Sequence, residues 1–295
     1  MRAEYFVDPD ASAECIYNMY LSGGMTTAVV ERFRDVIHEY YSRHRRDFPW
    51  RDTADPYCIL VSEVMLQQTQ TERVRQKYIE FIDAFPDFTS LAKAHLEDVL
   101  RVWRGMGYNR RAIALRKTAE RVVKNFGGTL PCDIKALESF PGIGKATARS
   151  IVVFAFNKPE VFIETNIRSV FIHFFFRDRE CVSDAEITPL IEATLHRSNA
   201  HHWYSALMDY GVMLKKETLN PSRRSRHHRQ QSKFEGSDRQ VRGMILRAVI
   251  ENPGIEKQEL YRKIPRDCER VRLLLDQLQG EGFICEEQGM YRISK

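Results

Sequence analysis

The residues Phe140-Pro141-Gly142-Ile143-Gly144-Lys145-Ala146-Thr147-Ala148 join two segments of helical character, and the reading of the fold turns on that join. Two glycines with one apolar residue between them make a tight turn. The backbone N–H groups opening the next helix then point outward as an anion site. A duplex phosphate fits there, with Lys145 beside it. A lone Gly-x-Gly also makes an ordinary turn between helices, so these residues by themselves leave both readings open.

Upstream, Val30, Phe33, Ile37 and Tyr41 recur at three- and four-residue steps and predict a helix from Thr26 to Arg45. Pro49 ends it and leaves Phe48, Trp50 and Arg51 at a turn. Further helices are expected over Tyr57–Gln70, Arg73–Ile82, Leu91–Arg101, Arg111–Asn125 and Ile134–Phe140, with Gly or Pro at most breaks. Period-two strand patterns are nearly absent before residue 280, so the body is all-α. Downstream of Gly211, Asn220 to Ser237 reads NPSRRSRHHRQQSKFEGS, without periodicity, as a linker or extended arm. Periodicity returns at Val241, Met244, Ile245, Ala248 and Val249, then in short helices at Gln258–Lys263 and Cys268–Gln279. Phe283–Cys285 and Met290–Ile293 flank a Gln288-Gly289 turn as a hairpin. Three helices and a two-stranded wing spell a winged helix-turn-helix. The expected division is residues 1–24 as an extension without an assigned role, 25–218 as the core, 219–237 as the arm and 238–295 as the winged helix.

A chain of 295 residues, 43% hydrophobic and 29% charged, is neither fibrous nor wholly disordered and buries a sizeable core. Its longest apolar run, Ile151 to Phe156, stops after six residues, far short of a membrane span. No secretory pattern opens the sequence, and the cytoplasm is the expected compartment, at the nucleoid in a prokaryote. Six scattered cysteines with no close pair read as reduced, mostly buried thiols and argue against zinc and disulfides. The net charge of +5 is concentrated: Lys215 to Arg242 holds nine basic residues against three acidic, leaving the remainder slightly negative. Such clustering suits a phosphate-binding surface. Nothing points to an oligomer, and a monomer is expected.

Ser62-Glu63-Val64-Met65-Leu66-Gln67-Gln68-Thr69-Gln70 places Glu63 on a helix among Ile59, Leu66 and Gln67. Desolvation there would favour a protonated carboxylic acid, which can donate to a leaving group. A glutamate on a helix is more often simply solvated, and these residues alone do not decide. Taken with Trp103-Arg-Gly-Met-Gly-Tyr-Asn-Arg-Arg-Ala112, the Phe140 hairpin and Ile163-Glu-Thr-Asn-Ile-Arg-Ser-Val170, in this order and spacing, the chain resembles the helix-hairpin-helix DNA glycosylases. It is most similar to the MutY-type adenine glycosylases, over roughly residues 28–215.

The resemblance implies two all-α subdomains flanking a cleft into which a nucleotide of double-stranded DNA is flipped. It makes Glu63 the acid that protonates a purine at N7. Gln67, Gln68 and Tyr108 fill or wedge the vacated stack. Gly142, Gly144 and Lys145 hold a phosphate. Glu164 falls where the family carries an aspartate that opposes the sugar's oxocarbenium charge, and Asn166 supports the same pocket. Read from its residues, Glu164 is also a helix N-terminal carboxylate. Trp50 and Arg51 resemble a turn near the opposite strand, or a packed tryptophan with a surface arginine.

Four departures sharpen the expectation. Ala146 stands where bifunctional relatives carry a Schiff-base lysine, so β-elimination is not expected. No cysteine lies between Gly211 and Asp267, so no cofactor is expected and no iron–sulfur cluster. In its place Arg223, Arg224, Arg226, Arg229 and Lys233 are candidates for phosphate contacts, or else form a solvated tether. Glu164 is one methylene longer than aspartate. The appended domain that reads 8-oxoguanine is not recognisable, while Arg266, Arg270 and Arg272 of the winged helix are candidates to face DNA. The expected activity is monofunctional release of adenine mispaired with 8-oxoguanine or guanine. Release of thymine, uracil or hypoxanthine and catalytically silent DNA binding are the alternatives.

Overall fold

The computed structural model describes residues 9–230 and 233–294. In chain order its helices are α1 (Pro9–Gly23), α2 (Thr27–His44), α3 (Pro56–Leu66), α4 (Thr71–Ala84), α5 (Phe88–Lys93), α6 (Leu96–Val102), α7 (Arg110–Phe126) and α8 (Ile134–Glu138). They continue with α9 (Lys145–Phe156), α10 (Thr165–Phe175), α11 (Asp184–Thr194), α12 (Ala200–Glu217) and α13 (Asp238–Glu251). Strand β1 (Ile255–Glu256), α14 (Lys257–Lys263), α15 (Cys268–Gly280), β2 (Ile284–Glu287) and β3 (Met290–Ile293) complete the order. No helix among the described residues is long and apolar enough to cross a membrane.

The chain divides into two compact units, and neither is continuous in sequence. One joins residues 1–51 to 145–230, the other 52–144 to 231–295. The span 25–218 expected as the core contributes to both units. In the first unit Phe33 of α2 stands edge-on or tilted to Phe171, Phe174 and Phe175 of α10 and to Trp203 of α12, with centroids 5.0 to 5.8 Å apart. Such aromatic contacts add to the area these rings bury. Residues 9–23, given no role by the sequence, form a helix that buries Ala13 and Ile16 and packs on α10 and α2.

The first part of the expected arm, as far as Ser225, is folded. Asn220 caps a short 3-10 turn, Pro221–Arg224, whose Pro221 and Ser222 are buried, and Ser225 bridges to Val182 in parallel. In the second unit α3 is buried on nearly every face, with Asp55 as its N-cap and Pro56 at its first turn. The helix expected over Leu91–Arg101 is two helices, because α5 stops at Ala94 and His95 caps α6.

The C-terminal segment packs Val241, Ile245, Leu274, Leu275, Leu278 and Phe283 into its own core beside a three-stranded antiparallel sheet ordered β1-β3-β2. Gln288 and Gly289 both take positive φ, as a two-residue hairpin turn requires. The third strand, β1, was not legible, since two residues carry no period. None of the six cysteines is fully buried: Cys15, Cys181 and Cys268 are exposed and the other three half-buried, which corrects that expectation.

Candidate active site and nucleic-acid contacts

In the second unit Glu63 is half-buried on α3, where Ile59, Leu60, Val61, Ser62, Val64 and Met65 are all buried. A helix this apolar has no solvated face of the ordinary kind, so Glu63 is a half-buried carboxylate on an otherwise buried helix. α3 ends at Leu66, earlier than the sequence suggested, and the chain turns through Gln67, Gln68 and Thr69. Gln68 adopts φ 53°, a left-handed conformation uncommon outside glycine. Tyr108 does the same at φ 47° in the turn that precedes α7. Such conformations persist where the surroundings over-determine them.

Arg111 of α7 supplies that determination. Its buried guanidinium donates through Nη1 to the carbonyls of Val64, Met65 and Gln67, at 3.0, 2.8 and 2.6 Å. Through Nη2 it donates to Thr69 Oγ1 and to the carbonyls of Met106 and Gly107. It also lies 5.4 Å from the ring centroids of both Trp103 and Tyr108. One side chain therefore closes the C-terminal end of α3 and fixes the Tyr108 turn to it. Burial depresses its pKa to about 10, with the polarity of Tyr108 acting weakly the other way. The sequence reading did not assign it. The available signal was its place on the apolar stripe of α7, one turn before Leu115 and two before Thr118 and Ala119.

The hairpin has the expected form at Gly142, whose φ of 77° and 3.0 Å clearance from Ala114 make any side chain there strained. Gln67 Nε2 donates to the Gly142 carbonyl at 3.1 Å, joining the α3 terminus to the turn. Ile143 is buried, while Gly142, Gly144, Lys145 and Ala146 are exposed. The free amides that open α9 are thus presented outward.

In the first unit Glu164 is the N-cap of α10. Its Oε1 accepts from the amides of Asn166 and Ile167 at 2.7 and 2.8 Å, and its Oε2 accepts from Asn166 Nδ2 at 3.1 Å. The capping role read from its residues is the one the structure shows, and both oxygens are fixed as acceptors. Asn166 Oδ1 accepts in turn from Lys215 Nζ at 2.7 Å. Burial lowers the pKa of Lys215, partly offset by the charge of Glu164. Lys215 was read only as part of a basic segment; its spacing from Leu207 and Gly211 puts it on the buried stripe of α12. Gly211 allows the approach of the two helices, since a Cβ there would meet Asn166 O at 2.4 Å.

Two expected DNA contacts have other tasks. Arg51, 7% exposed at its side chain, donates with Arg46 to the buried carboxylate of Asp209. Trp50 beside it is buried and stacked on Phe48. Arg224 donates to the carbonyls of Phe176, Arg177, Arg179 and Ile172, closing the C-terminal end of α10. A buried helix end needs such a donor, and a sequence does not tell that need from a phosphate's. Arg223 and Arg226 remain exposed, as do Arg229 and Lys233. In the C-terminal segment Arg270 pairs with Asp238, Arg272 with Glu269 and Asp276, and Arg266 with Glu235.

Residues 61–195 match the HhH-GPD superfamily of base excision DNA repair proteins. The chain is 31% identical over 194 residues to an adenine DNA glycosylase of Buchnera aphidicola, covering 64% of this chain and 54% of that one. It is 31% identical over 232 residues to an adenine DNA glycosylase of Mycobacterium tuberculosis, covering 70% of this chain and 75% of the relative. Among solved structures, that of a thermostable thymine-DNA glycosylase superposes with a TM-score of 0.55 at 26% identity, covering 62% of this chain and 86% of that one.

Proposed function

Because the chain belongs to the HhH-GPD superfamily of base excision DNA repair proteins, we propose that it is a monofunctional DNA glycosylase that releases adenine mispaired with 8-oxoguanine or guanine. The observation that carries this reading is Glu63 on an α3 buried almost all round and braced at its end by Arg111. Glu63 protonates the flipped adenine at N7, the C1′–N9 bond breaks and neutral adenine leaves with the bonding pair. The carboxylate of Glu164 opposes the cation left at C1′, and water adds there and loses a proton to give the abasic sugar. Asn166 and Lys215 hold Glu164 in place. Tyr108, Gln67 and Gln68 occupy the stack that the base has left, and the amides at Gly144 and Lys145 bind a phosphate of double-stranded DNA. Arg223 and Arg226 add contacts to the backbone. No amine stands at Ala146, so the strand is left uncut.

The residues present do not fit an iron–sulfur cluster. No cysteine falls between Gly211 and Asp267, and among the described residues no three side chains of the metal-ligating types lie together. Arg224 and the Val182–Ser225 bridge anchor the segment after α12 instead. The C-terminal helices and sheet form a winged helix, and the protein acts as a monomer. Pyrimidines lack N7, so thymine or uracil release requires a different task for Glu63. Hypoxanthine suits the same acid.

A single-turnover assay tests the reading on labelled duplexes carrying adenine opposite 8-oxoguanine or guanine, thymine or uracil opposite guanine, and hypoxanthine. Breaks at adenine that need hot alkali are the expected result, and Glu63→Gln abolishes them while duplex binding persists. Breaks only at thymine or uracil would overturn it, and binding without any base release would leave a DNA-binding protein.

A further inference from the structure

The second unit holds a cavity of about 560 Å³ beside Tyr108 and Gln68, walled on its other side by α13. This volume lies within the range of roughly 300–1,000 Å³ typical of ligand sites. Nine of its twenty lining residues come from 234–277, outside the segment that matches the superfamily, and the reaction described above gives those nine no task.

Its chemistry is specific. Seven arginines and one aspartate face it. Glu251 pairs with Arg104 and Arg247, and Glu281 with Arg110 and Arg242, which leaves a net positive charge after those pairs are counted. The floor is apolar, with Leu100, Leu246 and Ile250, and Phe234 stands at the rim 57% exposed. Arg239 of α13 donates to the hydroxyl of Tyr108 at 2.5 Å, and its guanidinium lies 5.2 Å from the ring centroid. An apolar floor, aromatic edges and a basic rim are what a nucleotide needs: a surface for the base and cations for its phosphate.

We propose that this cavity binds a single nucleotide of the duplex, the one left without a partner when the target base is extruded. It rests on the reading of Tyr108 as the wedge. Tyr108 separates the pair, and the unpaired nucleotide passes to the side on which Arg239 already holds that ring. Its base lies against Leu246, Ile250 and Phe234, and its phosphate meets Arg239 and the exposed Arg73. The C-terminal segment thereby examines the opposite strand with residues that the superfamily match does not include.

Gly243 offers a clean test, because it lines the cavity and a Cβ there meets nothing within 4 Å. The full chain is titrated into a duplex with a tetrahydrofuran abasic analogue opposite 2-aminopurine, whose fluorescence rises when it leaves the stack. A severalfold rise is expected with the natural protein and not with 2-aminopurine placed three pairs away. Gly243→Phe fills the cavity, removes the rise and weakens binding about tenfold, while Gly243→Ser, which folds in the same helix, keeps both. Arg239→Ala reduces the rise.

Binding without a rise overturns the site, and so does a rise that persists in a folded Gly243→Phe protein. Tighter binding by Gly243→Phe also overturns it, since the cavity would then be shielding the wedge. Base release is scored separately on adenine duplexes: a rise without release removes the proposed reaction and leaves the nucleotide site standing.

Discussion

Arg111 and Arg224 do the same work in the two units, yet only one of them lies under the candidate site. Each is an arginine whose guanidinium donates to a fan of main-chain carbonyls at the C-terminal end of an apolar helix, α3 for Arg111 and α10 for Arg224. In each, burial is the leading cause of a depressed pKa. The end that Arg111 closes runs directly into Gln67 and Gln68 and carries Tyr108 with it. The end that Arg224 closes lies at the opposite terminus of α10 from Glu164. The comparison teaches that a cationic side chain is assigned by its acceptors. The same residue type is a helix brace, a site brace or a phosphate ligand according to what lies within 3 Å of it.

The largest effect is expected at Arg111. Its replacement by alanine strands six acceptors, several of them buried, and costs about 3–5 kcal/mol of stability. Arg111→Lys places its charge at one point and cannot reach all six. Under conditions where the lysine variant is folded, base release falls by about a hundredfold or more. A folded Arg111→Lys protein with undiminished single-turnover rate would remove the distinction between the two arginines.

Gly211→Ala comes next. It forces a Cβ against the backbone of Asn166 and destabilises the first unit by about 3 kcal/mol. It displaces Glu164 at the same time, so activity falls further than thermal stability does. Loss of stability alone would show that α10 moves as a rigid rod and keeps its N-terminal geometry.

Arg224→Ala costs about 2 kcal/mol and leaves the salt dependence of duplex binding unchanged, because its donors are spent on carbonyls. A shallower salt slope would return Arg224 to the role first read from the sequence.

The smallest effect concerns a contact that titrates. Carbonyls do not change charge with pH, whereas Arg110 of α7 and Arg242 of α13 both lean on the carboxylate of Glu281. The hydrogen bond from Arg110 is the leading cause that lowers the Glu281 pKa from 4.5 to about 2. A depressed carboxylate stabilises the fold above its unfolded pKa and loses that contribution as pH falls through the folded one. The attachment of α13 to α7 is therefore expected to weaken, by about 1 kcal/mol, between about pH 4.5 and about pH 2. Melting curves of the natural protein and Glu281→Gln converge over that window. A constant gap between them would show that the arginines are held by something else.

Much of the helical body was legible because local rules govern it. The stripe of Phe33, Ile37 and Tyr41, the Gly142 turn and the Gln288-Gly289 hairpin each follow from period or backbone freedom within a few residues. The helix from Asp238 and its two successors were legible for the same reason. The split at Ala94 and the strand at Ile255–Glu256 were not, since a break of two residues and a strand of two carry no period.

Among the residues proposed for the reaction, the sequence by itself determined which are chemically able: the carboxylates Glu63 and Glu164, the amides Gln67 and Gln68, the phenol of Tyr108 and the alanine in place of an amine. The tertiary structure alone decided which cations are engaged elsewhere. Arg51 went to Asp209 and Arg224 to the end of α10, while Arg111 went to the end of α3, Lys215 to Asn166 and Arg239 to Tyr108. The physical reason is range. Helix period and turn chemistry are fixed by neighbours in the chain, whereas a long cationic side chain takes its partner from residues 46 positions away, as Arg111 does at Met65, or 158, as Arg51 does at Asp209. Only folding brings those acceptors within reach.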